Sequence, residues 1–386
     1  MKVFSGRTDC APEEVGYDSR RLDAVNEFFA RMIRDGIIFG ASYRLARRGK
    51  VFAAASLGSR HYAKPDMEIL PETPYRLASQ TKVFTAVAIF MLAEDGLVSI
   101  DDYVRKFLPQ FADAPYNGIT IAHLLTHTSG LYPEGSIPDA HHIGTYEHIE
   151  REFEKNGDAA DWIAAGLRGG MRRKPGEEWQ YCSYGIQVLG AIVEKTTGMK
   201  FKDFVLEKIC APLGMTATAF DISPETAARA LVFSDRDEKN LAEIQARKRG
   251  SSHWDLVPPA SSGLYSTAED MIRFGMMLQN GGRLGDVRIL GRKAIDVMAT
   301  QHLTNVPNFC WGGNEKDRKH GLGVDMRRNL GAFFSPGTIH HEGAGHSVTL
   351  IDRAEEMVCT CVYPWVTEWN GDCNFRQFNV MWSGLM

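Results

Sequence analysis

The sequence predicts an α+β protein, with an antiparallel sheet built from both chain ends, flanked by helices, and a mainly helical subdomain inserted between them. Three observations point there. A strand–turn–strand pattern occurs once near each end, at 38–57 and 347–363. From about 100 to 290 the apolar spacing is mostly helical. Each end also carries an amphipathic helix that can cover one face of a sheet. The expected division is 1–78 and 288–386 for the sheet unit and 79–287 for the helical unit, with the active site between them.

The elements follow in order. A helix begins at Asp18-Ser19, carries Leu22, Val25, Phe29, Met32 and Ile33 on one face, and stops at Gly36. The runs 38–46 and 51–57, joined at Arg48-Gly49, read as a hairpin. A helix is expected from about 79 to 95, ended by Gly96. Further helices are expected at 121–127, 145–155, 158–167, 184–196 and 267–279, with Asp158 and Thr267 at N-cap positions. Strands at 347–352 and 357–363 flank the polar turn 353–356 as a second hairpin. A last helix, 372–385, places Phe375, Phe378, Trp382 and Leu385 on one side.

Composition excludes several classes. With 386 residues, 44% hydrophobic and 24% charged, the chain can bury a large core. A net charge of −4 gives no electrostatic footprint for nucleic acid. No apolar run approaches the roughly 20 residues a membrane helix needs. The opening MKVFSGRTDCAPEE has no apolar core of signal-peptide length, and the seven cysteines are scattered without a Cys-x-x-Cys pair. The expectation is a cytoplasmic protein with reduced thiols, no membrane or nucleic-acid partner and no cofactor; its oligomeric state is left open.

One polar island stands out. Ser79-Gln80-Thr81-Lys82 precedes eleven residues, 83–93, in which only Thr85 is polar. Positions i and i+3 share a helix face, so Ser79 and Lys82 would project together from the first turn. A serine hydroxyl is a weak nucleophile until a base takes its proton, and burial among apolar residues disfavours the charged form of an amine. A helix N-terminus also favours negative charge developing beside it. No other serine has lysine three residues on, and no Gly-x-Ser-x-Gly elbow competes with Ser79. The bland alternative is an N-cap serine beside a solvated lysine.

Further stretches, in order along the chain, carry a resemblance. They are IAHLLTHTSGL at 121–131, KPGEEWQYCSYGIQVLGAIVEKTTG at 174–198 and SSGLYSTAEDMIRFGMMLQNGG at 261–282. With Ser79 and Lys82 they resemble the serine β-lactamase/penicillin-binding-protein-like superfamily, in particular class C β-lactamases and their esterase and D-aminopeptidase relatives. The resemblance implies a Tyr-x-Asn element, here Tyr181-Cys182-Ser183, with Tyr181 exchanging a proton with Ser79. Ser183 replaces the usual Asn and lacks its amide. It also implies a Lys-Thr-Gly or His-x-Gly element, here His341-Glu342-Gly343, with Gly343 letting substrate lie along the strand and the N–H groups of Ser79 and Ala344 forming the oxyanion hole. Glu342 stands where the lactamases have a hydroxyl residue; facing the pocket it would repel a substrate carboxylate. The implied activity is a serine hydrolase acting on a small ester or amide through an acyl-enzyme, foremost a carboxylesterase. A D-stereospecific peptidase or amidase, a weak β-lactamase, an acyltransferase and a non-catalytic binding protein of the same fold are the alternatives.

Other signals are weaker. HHEGAGH at 340–346 does not match His-Glu-x-x-His, and its glycines oppose a helix. His123 and His127, at i and i+4 of one expected helix, form a possible ligand pair with nothing placed to complete it; a structural role is expected for both. Cys359 and Cys361 alternate along a strand and are expected to pack in the core, as is Cys182. The charged stretches 168–174 and 234–249 are expected to be solvated loops.

Overall fold

The computed structural model describes residues 1–132, 144–246, 252–310, 313–366 and 375–386. Its elements are β1 (Val3–Ser5), α1 (Arg20–Arg34), β2 (Gly40–Arg47), β3 (Lys50–Gly58), β4 (Tyr75–Arg76), α2 (Thr81–Glu94), α3 (Ile121–Leu125), α4 (Thr145–Asn156), α5 (Trp162–Leu167), α6 (Ser183–Thr197), α7 (Phe201–Val205), α8 (Pro224–Arg229), α9 (Asp235–Gln245), β5 (Tyr265–Ser266), α10 (Ala268–Gln279), β6 (Arg283–Leu284), β7 (Val287–Arg288), α11 (Arg292–Met298), β8 (Ile339–Gly343), β9 (Ser347–Asp352), β10 (Met357–Val362) and α12 (Arg376–Trp382).

The sheet is antiparallel, drawn from both chain ends, in the order β1-β3-β2-β10-β9-β8. Strand β10 joins the halves: Cys359 pairs with Leu45 on one side and with Leu350 on the other. The β2–β3 turn has positive φ at Arg48 (50°) and Gly49 (74°), which makes it the turn whose twist matches the strands it connects. The second hairpin, β9–β10, forms where the sequence places it.

Each face of the sheet has its own core. On one side α1 and α12 cover Tyr43, Leu45, Leu350, Cys359 and Cys361, together with Phe29, Phe378 and Trp382. The last helix starts at Arg376; residues 372–374 of its expected span lie outside the described residues. On the other side Ile351 and Val358 face α2 and α10, where the Phe84 and Phe274 rings stack with centroids 3.9 Å apart. Helix α2 is apolar all round, and such a helix is stable only inside; it packs on α6 and α7 as well. Among the described residues no helix is long and apolar enough to cross a membrane.

Three expectations are corrected. Asp158 does not cap a helix: Gly157–Ala159 is a 3-10 turn that directly follows α4, and Asp161 caps α5 by accepting the Ala164 N–H at 3.0 Å. The charged stretch 234–249 is not a loop over most of its length. Ser234 accepts the Asp237 N–H and starts α9, which buries Leu241 and the Asp237 carboxylate, the latter paired with Arg76; residues 247–249 lie outside the described residues. His123 and His127 do not share a helix face, because α3 ends at Leu125 and His127 has φ 56°.

Candidate active site

Ser79 sits where one helix type becomes another. Residues Ala78–Gln80 form a single 3-10 turn that runs into α2 at Thr81. Helical spacing places Ser79 in the first α-turn; the tighter turn arises because β4 ends at Arg76 and the chain must reverse within a few residues, which it does with Ala78 at φ 47°. The pairing of side chains survives. Lys82 Nζ lies 3.2 Å from Ser79 Oγ and donates to the Ser261 carbonyl at 2.8 Å. Lys82 is 2% exposed and Ser79 half-buried, so the amine is sealed in while the hydroxyl stays accessible.

Tyr181 stands just ahead of α6, with its ring centroid 4.8 Å from Lys82 Nζ. Its segment is held from two directions. The Trp179 N–H reaches the Pro307 carbonyl at 2.9 Å, and the Tyr181 N–H reaches Cys310 Sγ at 3.3 Å. From the other side His127 bonds to Gln180 and Cys182, and its ring lies 4.6 Å from that of Tyr181. Cys182 is buried, and its Sγ caps α6 by accepting the Gly185 N–H at 3.4 Å. Ser183 opens the helix, 8% exposed. Upstream, the 168–174 stretch is more than a solvated loop: Arg172 and Arg173 pair at 3.3 and 2.9 Å with the buried Glu178 carboxylate, which Gln180 also contacts.

The third element lies on β8, the last strand of the sheet. Gln80 ties the neighbouring strand β9 to the serine turn: its amide donates to Ser347 Oγ at 2.8 Å and accepts from Thr349 Oγ1 at 2.7 Å. A Cβ on Gly343 would collide with the Leu77 carbonyl oxygen and come within 2.6 Å of Ser347 Oγ, so only glycine lets the strand end this close to Ser79. His341 is buried, and burial with the nearby Lys82 amine holds its imidazole down to about 3. Its Nδ1 faces the Glu342 carbonyl at 2.8 Å; a carbonyl only accepts, so Nδ1 carries the proton and Nε2 is left as an acceptor. Ala344 follows in the exposed turn. His341 and His346 lie on a strand and a turn, not on a helix, and among the described residues no cluster of His, Cys, Asp or Glu side chains is arranged to hold a metal.

Glu342 is half-buried and pairs with Arg327 at 3.4 Å. Arg327 in turn donates to Asp325 at 2.8 Å, and Arg318 donates to the same carboxylate at 2.8 Å while its guanidinium lies 4.4 Å from the Trp179 ring. The two arginines, opposing the cost of burial, keep the Asp325 carboxyl well below the usual range. Of this ion network, with His127 and His320 beside it, the sequence alone marks Glu342 and the His-Thr-Ser-Gly text at 127–130; Arg318, Asp325 and Arg327 carry no motif.

The Beta-lactamase family model matches residues 25–363. Esterase EstB of Burkholderia gladioli is 32% identical over 280 residues, covering 66% of this chain and 68% of that protein. A putative D-alanyl-D-alanine carboxypeptidase of Escherichia coli O157:H7 is 26% identical over 387 residues, covering 91% of this chain and 83% of that protein. The crystal structure of a family VIII carboxylesterase superposes over 100% of both chains with a TM-score of 0.74 at 20% identity. With a match spanning most of the sequence and a shared fold, the chain belongs to the β-lactamase family.

Proposed function

We propose that this protein is a serine hydrolase that cleaves small carboxylic esters through an acyl-enzyme on Ser79. The observation that carries the reading is the 3.2 Å approach of the buried Lys82 amine to the accessible Ser79 hydroxyl. Lys82 gives one N–H to the Ser261 carbonyl and faces the Ser79 hydroxyl, placed to relay its proton. Ser79 Oγ bonds to the ester carbonyl carbon; its proton passes through Lys82 and Tyr181 to the leaving alcohol; water then attacks the acyl carbon and frees Ser79 Oγ with its proton restored. The N–H groups of Ser79 and Ala344 hold the oxyanion. Ser183 and the edge residues His341, Glu342 and Gly343 would contact substrate.

The likeness to EstB favours ester over amide. The partial identity with a putative D-alanyl-D-alanine carboxypeptidase keeps a D-stereospecific peptidase as the second reading; Glu342 on the strand edge opposes the terminal carboxylate such a substrate carries. The test is hydrolysis of p-nitrophenyl butyrate by wild type and Ser79→Ala, beside a D-alanyl amide and a cephalosporin. Ester turnover that falls at least 10³-fold in Ser79→Ala is expected. Turnover unchanged by that substitution refutes the reading, and higher kcat/KM for the amide or the cephalosporin refutes the ester preference.

A further inference from the structure

One residue holds Tyr181 from both of its neighbours. The His127 carbonyl accepts the Gln180 N–H at 2.7 Å, and its ring Nδ1 accepts the Cys182 N–H at 3.2 Å. Between these two bonds the Tyr181 ring lies against the imidazole, with centroids 4.6 Å apart at a 35° tilt. To aim both its carbonyl and its side chain at one segment, His127 leaves the helix and takes φ 56°, a left-handed conformation that histidine, asparagine and aspartate adopt more readily than other side chains. The ring is 2% exposed and further enclosed by Trp179 and His320, with centroids at 5.7 and 5.6 Å. Because an N–H can only donate, Nδ1 is unprotonated and the imidazole is neutral. Burial, with His320 and Lys82 nearby, holds it well below the ordinary histidine range, so this acceptor persists at working pH.

We propose that His127 is a positioning residue for Tyr181, fixing the phenol ring beside Lys82 so that the two can pass the Ser79 proton between them. The inference rests on the role given to Tyr181 above. A histidine that merely filled the core would need neither the strained backbone nor bonds to the residues on both sides of the tyrosine. Misplacing a reacting group by about 1 Å costs up to about 10²-fold in rate, so the effect belongs in kcat, with substrate binding left intact.

The experiment measures kcat and KM for p-nitrophenyl butyrate in His127→Ala and His127→Asn, each alone and combined with Tyr181→Phe. Asparagine accepts the left-handed conformation and carries an amide oxygen where Nδ1 sits, so it restores the bond to Cys182. His127→Ala should lose about 30-fold in kcat with KM within about twofold, and His127→Asn should stay within about threefold of wild type. In the Tyr181→Phe background the further loss from His127→Ala should shrink to about threefold or less, since the partner it positions no longer works. Thermal melts confirm folding, and if His127→Ala does not fold, His127→Gln, which moves the acceptor outward, replaces it with the same expectations. Equal losses in the two backgrounds, or wild-type kcat in His127→Ala, overturn this inference alone. Full activity in Tyr181→Phe overturns the role given to Tyr181 and this inference with it.

Discussion

Lys82 Nζ reaches Ser79 Oγ at 3.2 Å while its other bond, at 2.8 Å, is to the Ser261 carbonyl. The amine therefore meets one group that only accepts and one that can give up a proton. That arrangement suits a base held in place by its own N–H. An arginine at this position would keep the bond to Ser261 but has no lone pair to offer near neutral pH. Lys82→Arg should lower kcat/KM for p-nitrophenyl butyrate by about 10²–10⁴-fold, the range expected for removing a general base, with a melting temperature near that of wild type. Retention of activity within about tenfold would assign the proton to another group.

Glu342 does not stand alone as its sequence position suggests. Arg327 pairs with it at 3.4 Å and offsets part of its charge, so its repulsion of an anionic substrate is weaker than that of an isolated carboxylate. Glu342→Gln removes the negative charge and leaves Arg327 with less opposing charge. Turnover of a carboxylate-bearing cephalosporin relative to a neutral ester should rise about three- to tenfold, the effect of about 1 kcal/mol for a charge at a hydrated rim. Arg327→Gln should shift the ratio the opposite way, and both shifts should shrink in 0.5 M salt. An unchanged ratio in both variants would place Glu342 outside the substrate path.

Gly343 is set by close approach, since an added Cβ would strike the Leu77 carbonyl two residues before Ser79. Gly343→Ala should push the end of β8 away from the serine turn, costing about 1–3 kcal/mol in stability and separating the proposed oxyanion donors. Loss of a single such donor is worth about 10²–10³-fold in kcat. Urea unfolding and steady-state kinetics on the one variant check both effects. A stable protein with wild-type kcat would show that Ala344 lies off the reaction path.

Legibility in the sequence followed the range of the contacts. The two hairpins, the terminal helices and the apolar α2 rest on local periodicity and turn chemistry, and they form, though the last helix ends at Trp382 and leaves Leu385 bridged to Tyr17 beyond it. The Ser79–Lys82 pair was equally local, three residues apart. Tyr181 and the His341–Gly343 strand were named only because their text resembles a family; nothing local says that Lys82, Tyr181 and His341 meet. The Asp325 network and the grip of His127 on residues 180 and 182 depend on loops packing across the fold. His127 departs from its helical spacing for a specific reason: α3 ends at Leu125, and the positive φ that aims the His127 side chain elsewhere leaves no periodic mark.

The buried histidines make stability depend on pH in a predictable direction. Burial holds His320 down to about 4 and His341 to about 3, and it also lowers His127. In the unfolded chain each titrates near its ordinary 6.5. As pH falls below 6.5 the unfolded state therefore takes up protons that the folded state refuses. Stability is full above that point and declines through the window from 6.5 toward 4, at about 1.4 kcal/mol per pH unit for each such histidine. Asp325, held well below the usual carboxylate range, adds its own loss only below about 4, where unfolded carboxylates begin to protonate. Urea unfolding should give a free energy several kcal/mol lower at pH 5 than at pH 7. His320→Asn keeps an N–H donor for the Gly321 carbonyl, which His320 Nδ1 now contacts at 2.6 Å, and removes one titrating group; the difference between the two pH values should shrink by about 2 kcal/mol. Equal stability at both pH values would mean that these rings gain protons in the folded protein as readily as in water, and that the site around Lys82 is far wetter than its burial indicates.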